Sequence, residues 1–79
     1  MKKVKNVIRG YLSREYLKDL TIIDNESRKV QYSGDINEYL EVNENSHEIL
    51  YQEKTRLANL GVVDSQLFGM KLFLFTKEV

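Results

Sequence analysis

Leu20-Thr21-Ile22-Ile23-Asp24 and Arg28-Lys29-Val30-Gln31-Tyr32-Ser33, separated by Asn25-Glu26-Ser27, decide how this chain is read. The first run is apolar and β-branched, and the second alternates polar with apolar residues. Asp24 and Asn25 supply turn chemistry between them. Together they predict a β-hairpin with a short loop, closed by Gly34.

On the N-terminal side, Val4, Val7, Ile8, Tyr11 and Leu12 recur at the spacing of one helix face, with Lys2, Lys5, Asn6 and Arg9 on the other. Gly10 costs such a helix about 1 kcal/mol relative to alanine, so it needs packing to persist. Ser13 either ends this helix or caps a further turn from Arg14 to Lys18.

On the C-terminal side, Asp35-Ile36-Asn37-Glu38 has the spacing of a capping box and opens a short helix bearing Ile36, Tyr39 and Leu40 on one face. Glu41 to Ser46 is polar and acidic, a loop. Asn45 or Ser46 then caps a longer helix ending at Leu60 and Gly61, with Glu48 in its first turn. Its inner side, Leu50, Lys54, Leu57, Ala58 and Leu60, is imperfectly traced. Gly61-Val62-Val63 leads into Asp64-Ser65-Gln66, and Gly69 precedes a strand, Met70 to Thr76, that is apolar on both faces. Such a strand is central or covered twice.

The order helix, hairpin, short helix, longer helix, hairpin predicts one α+β domain over residues 1–79. Its four-stranded, mainly antiparallel sheet carries an N-terminal helix and one or two middle helices on one face. The expected core holds Val7, Ile8, Leu12, Ile22, Val30, Leu57, Val63, Leu72 and Leu74. A domain this small buries only about 60–65% of its unfolded surface. With no cysteine, disulfides and thiolate metal sites are excluded, and self-association becomes an expected source of extra stability. No stretch has the apolar length of a membrane span, and Arg9 and Arg14 interrupt any signal-like run, so a cytoplasmic protein is expected.

No constellation points to catalysis. His47 is the only histidine and reads as an exposed helix-start residue. Asp35 and Glu38 are explained by capping. Asn43-Glu44-Asn45 begins a calcium-loop alternation without the glycine that must follow. The isolated glycines make no phosphate loop, and no serine sits in a glycine elbow. No cofactor is expected.

The net charge of zero conceals segregation: residues 1–18 sum to +5, 19–53 to −7 and 54–79 to +2. From Gln31 to Glu53 there is no lysine or arginine. Asp35, Glu38, Glu41, Glu44 and Glu48 are therefore the candidate residues for docking on a basic groove of a protein partner, including one that normally holds nucleic acid. Lys2, Lys5, Arg9 and Arg14 are the candidates for the alternative, weak nucleic-acid binding through the first helix. The bland reading of both sets is a solvated, solubilising face.

Val4 to Leu12, Thr21-Ile22-Ile23-Asp24, Val30-Gln31-Tyr32-Ser33-Gly34-Asp35 and Ile36 to Leu40 resemble small accessory proteins from phages and prophages of Gram-positive bacteria. In those, a helix precedes a strand with an Ile-Ile-Asp-like end, a polar turn and a Tyr-x-Gly element opening a short helix. The closing Val62-Val63 and Leu72-Phe73-Leu74 strands are similar too. The resemblance covers about half the chain and transfers no site residue. It implies a protein that binds host or phage proteins, with inhibitors of host defence such as anti-CRISPRs among the roles. The expectation is a non-enzymatic protein-binding module.

Overall fold

The structure is a computed structural model that describes residues 1–12 and 17–79. Its elements are α1 (Val4–Tyr11), β1 (Asp19–Asp24), β2 (Val30–Asp35), α2 (Ile36–Glu41), α3 (Glu48–Ala58), β3 (Gly61–Phe68) and β4 (Lys71–Lys77). The expected turn from Arg14 to Lys18, with its Ser13 cap, falls largely on residues 13–16, outside the described residues.

Both expected hairpins form, and the α+β class holds. In the first, the Asp24 carboxylate accepts from the backbone N–H and hydroxyl of Ser27, each at 2.7 Å. These bonds hold the Asp24 carboxyl below its usual range. Arg28 takes the left-handed conformation, φ 63°, so β2 starts at Val30 rather than Arg28. In the second hairpin, β3 runs from Gly61 through Asp64-Ser65-Gln66 to Phe68, and the turn comes at Gly69 as expected. The φ of Gly69, +59°, suits a residue without Cβ.

The sheet order is β2-β1-β4-β3. The two hairpins join through a parallel pairing of β1 with β4, Leu20 opposite Leu72 and Ile22 opposite Leu74. The sheet is therefore mixed, with two of its three pairings antiparallel. Residues 2–4 tie α1 to the far edge. Val62 N–H donates to the Lys2 carbonyl at 2.8 Å, and Val4 N–H donates to the Leu60 carbonyl at 2.9 Å.

The three helices cover one face. Leu20, Ile22, Leu72 and Leu74 from the central strands pack with Val4, Ile8, Leu17, Ile36, Tyr39, Leu57 and Leu60. Thr76, fully buried beside them, is satisfied by donating its hydroxyl to the Ile23 carbonyl at 2.9 Å. Five of the nine expected core residues lie in this cluster: Ile8, Ile22, Leu57, Leu72 and Leu74.

The other four do not, for identifiable reasons. Val30 and Val63 are exposed because each sits at a bulge. The register shift between Ile22 and Ile23 sets Val30 opposite Ile23, on the outer face. The shift between Val62 and Asp64 leaves Val63 without a partner opposite it. Leu12 is exposed at the end of α1, and Val7 is half-buried against the cluster. Among the described residues, no helix is long and apolar enough to cross a membrane.

Candidate partner-binding surfaces

The five acidic candidates follow one another along α2, the loop after it and the start of α3, and all are exposed. Asp35 caps α2 by accepting from the N–H groups of Asn37 at 2.7 Å and Glu38 at 3.2 Å. That is half of the expected capping box. Glu38 and Glu48 stand in the first turns of their helices, where the dipole favours an acid. Glu48 also accepts from the Gln52 side chain at 3.2 Å.

The loop carrying Glu44 is held by its own polar side chains. Asn43 Oδ1 accepts from Asn45 N–H at 2.8 Å, and Ser46 Oγ accepts from Asn43 N–H at 3.0 Å. Ser46 is thereby occupied in the loop, and the residue capping α3 is His47, whose Nδ1 accepts from Ile49 N–H at 3.3 Å. Neither Asn45 nor Ser46 has the expected role.

Among the described residues, none of the five carboxylates pairs with a cation. Among the described residues the one ion pair joins Arg56 to Glu53, and Arg56 also donates to the Gln31 side chain at 2.9 Å, tying α3 to β2.

Beside this acidic run lies an exposed apolar surface, Ile49, Leu50 and Tyr51, of which Leu50 is a correction to the expected inner side. The stripe Leu50, Lys54, Leu57 marks one side of α3. Leu57 is 2% exposed, whereas Leu50 is 57% and Ile49 68% exposed. The C-terminal half of α3 packs on the core, and the N-terminal half stands clear of it.

Lys54 marks the boundary. Its ammonium donates to the carbonyls of Leu40 at 3.0 Å and Val42 at 2.6 Å, satisfying the end of α2. Burial pushes it below the usual lysine value. Tyr51, Lys54 and Thr55 line a shallow cleft with Val42 and Glu44, so acidic and apolar groups border one concavity.

The second surface is the outer face of the sheet. Asp19, Thr21, Ile23, Phe73 and Phe75 stand on this face, each half-buried, and no described helix packs on it. Phe73 meets Phe68 edge to face, centroids 5.8 Å apart, and the Arg28 guanidinium lies 5.4 Å from the Phe75 ring centroid. β4 is thus a central strand covered once.

Of the basic candidates, Lys2, Lys5 and Arg9 are exposed on or beside α1, and Arg14 lies outside the described residues. Tyr11, their nearest aromatic, packs against the core, and its hydroxyl pairs with Ser65 at 3.4 Å. It is placed for packing rather than for stacking on a base. Among the described residues no three His, Cys, Asp or Glu side chains gather as metal ligands would. The exposed run Ile49-Leu50-Tyr51 was the missed feature, and its signal was the break in the apolar stripe of α3. Comparison with protein-family models, with curated proteins and with solved structures gives no match to this chain.

Proposed function

We propose that this chain is a non-enzymatic protein-binding module that docks through the free N-terminal half of α3. One observation carries the reading: Ile49 and Leu50 are exposed beside Glu41, Glu44 and Glu48, whose carboxylates have no cationic partner among the described residues. An apolar centre with a polar rim is the anatomy of a transient interface. The all-acidic rim selects a partner with an apolar groove edged by lysine and arginine, and adds electrostatic steering to its approach. The resemblance of the first half to small phage and prophage accessory proteins favours a host or phage protein of the bacterial cytoplasm as that partner, a defence protein included.

The test is capture from a bacterial lysate after nuclease treatment, repeated with Ile49→Asp/Leu50→Asp. Both side chains are exposed, so the variant should keep its fold. A captured protein should lose affinity by roughly 10–100-fold in the variant, an order of magnitude expected for two interface centre residues. Its affinity for the natural chain should weaken with rising salt. Capture at unchanged affinity by the double variant would place the interface elsewhere. Catalytic turnover abolished by a single carboxylate substitution would end the non-enzymatic reading.

A second reading rests on the exposure of Lys2, Lys5 and Arg9 around α1: weak nucleic-acid binding through phosphate contacts. It predicts retention of material only without nuclease, and loss of that retention in Lys5→Glu/Arg9→Glu.

A further inference from the structure

Where α1, α2 and α3 meet, a cleft of about 240 Å³ opens between the side chains of Lys5, Ile8, Arg9, Leu12, Tyr39, Leu40 and Lys54. Its composition differs from the rest of the surface. Three of the seven residues are cations and none is an acid, in a chain whose acids and bases are equal in number. Ile8 and Tyr39 are buried and form its base, while Leu12 and Leu40 add apolar wall.

Tyr39 brings a second, independent observation. The residue is 4% exposed, and its hydroxyl has no hydrogen-bond partner among the described residues. Buried polar atoms in native proteins are nearly always paired, so an orphan one calls for an acceptor. Burial raises the pKa of this hydroxyl to about 12, so at neutral pH it keeps its hydrogen and is a donor. The Lys54 ammonium lies 5.4 Å from the centroid of the same ring and is already committed to two carbonyls. Lys5 and Arg9, one helical turn apart on α1, remain to face an anion.

We propose that this cleft binds a small monocarboxylic acid with a short apolar chain, its carboxylate held by Lys5, Arg9 and the Tyr39 hydroxyl and its chain lying against Ile8, Leu12 and Leu40. The volume is below the usual range for drug-sized or nucleotide ligands, which limits the ligand to a short chain. The site stands apart from docking through the free half of α3 and does not depend on it.

Octanoate is the probe, titrated into the full chain and followed by backbone amide resonances. Saturable shifts are expected at Ile8, Leu12, Tyr39 and Leu40. 1-Octanol, which lacks the charge, and inorganic phosphate, which lacks the chain, should each bind at least about tenfold more weakly. Lys5→Gln/Arg9→Gln should weaken octanoate by about tenfold or more with the remaining amide spectrum unchanged. Tyr39→Phe should weaken it severalfold without loss of thermal stability, separating a lost ligand contact from a damaged fold. No saturable octanoate binding, equal binding of octanol, or binding indifferent to the Lys5 and Arg9 substitutions would each overturn the proposal. An oligothymidylate that binds these residues where octanoate does not would overturn it as well and assign the cations to phosphate.

Discussion

Leu74→Ala is expected to lower the free energy of unfolding by about 3–4 kcal/mol, within the range of leucine truncations that leave a residual cavity. Leu74 is fully buried in β4, and its strand is paired on both sides, Ile22 opposite in β1 and Ser65 opposite in β3. Hydrogen-bonded strands on either flank resist collapse into the void, so the loss should not fall to the lower end of that range. At about 0.05–0.15 kcal/mol per residue a chain of this length has roughly 4–12 kcal/mol in total. The substitution should therefore remove a large share of the stability, and urea denaturation should show a lower midpoint with an unchanged slope. Phe75→Ala, one residue along on the uncovered face, should cost clearly less. Equal losses at the two positions would mean that something covers the outer face in solution, and concentration-dependent stability would then identify self-association.

Alkaline pH should destabilise the protein through Tyr39. The folded-state pKa of this phenol is raised from 10.0 to about 12, chiefly by burial. Between those values the unfolded chain has released the proton while the folded chain retains it. Stability is then fully present below pH 10 and lost as pH rises toward 12. The loss is on the order of 2 kcal/mol. Lys54 acts in the opposite sense, since burial lowers its folded-state pKa from 10.5, and Tyr32, also raised, acts in the same sense as Tyr39. Tyr39→Phe isolates the one contribution because the other two groups remain. Its stability should match or exceed that of the natural chain at pH 7, since the hydroxyl it removes has no partner, and should fall less between pH 10 and 12. Parallel pH profiles for the two chains would contradict the burial of that hydroxyl.

The local elements were legible because their signals are local. The β-branched run Leu20 to Asp24, the stripe of Val4, Val7 and Ile8, and the capping spacing of Asp35 each act within a few residues. What joins them does not. The parallel pairing of β1 with β4 depends on residues about fifty positions apart, and nothing in either strand marks the other as its neighbour. The bulges that turn Val30 outward and leave Val63 unpaired depend on cross-strand register, which the residues of one strand do not encode.

The acidic residues were legible as exposed from their polarity and spacing. The meaning of Leu50 was not, because a helix can carry an apolar stripe past the end of the surface that covers it. The cleft at Tyr39 was invisible for the same reason: it draws on three helices, and each contributes residues that look ordinary in its own segment.

The parallel seam at the centre of the sheet also governs when the protein can become itself. Each hairpin closes a short loop and can form early, but the two share a buried face only once β1 and β4 meet, which requires closing a loop of about fifty residues. During synthesis, then, the first hairpin waits with Leu20 to Ile23 along an unpaired strand edge until residues 71–77 have left the ribosome. Through that interval it offers its hydrogen-bonding edge to any other extended chain. Folding of this sheet waits for β4, and the risk of aggregation is concentrated in the time before that strand arrives.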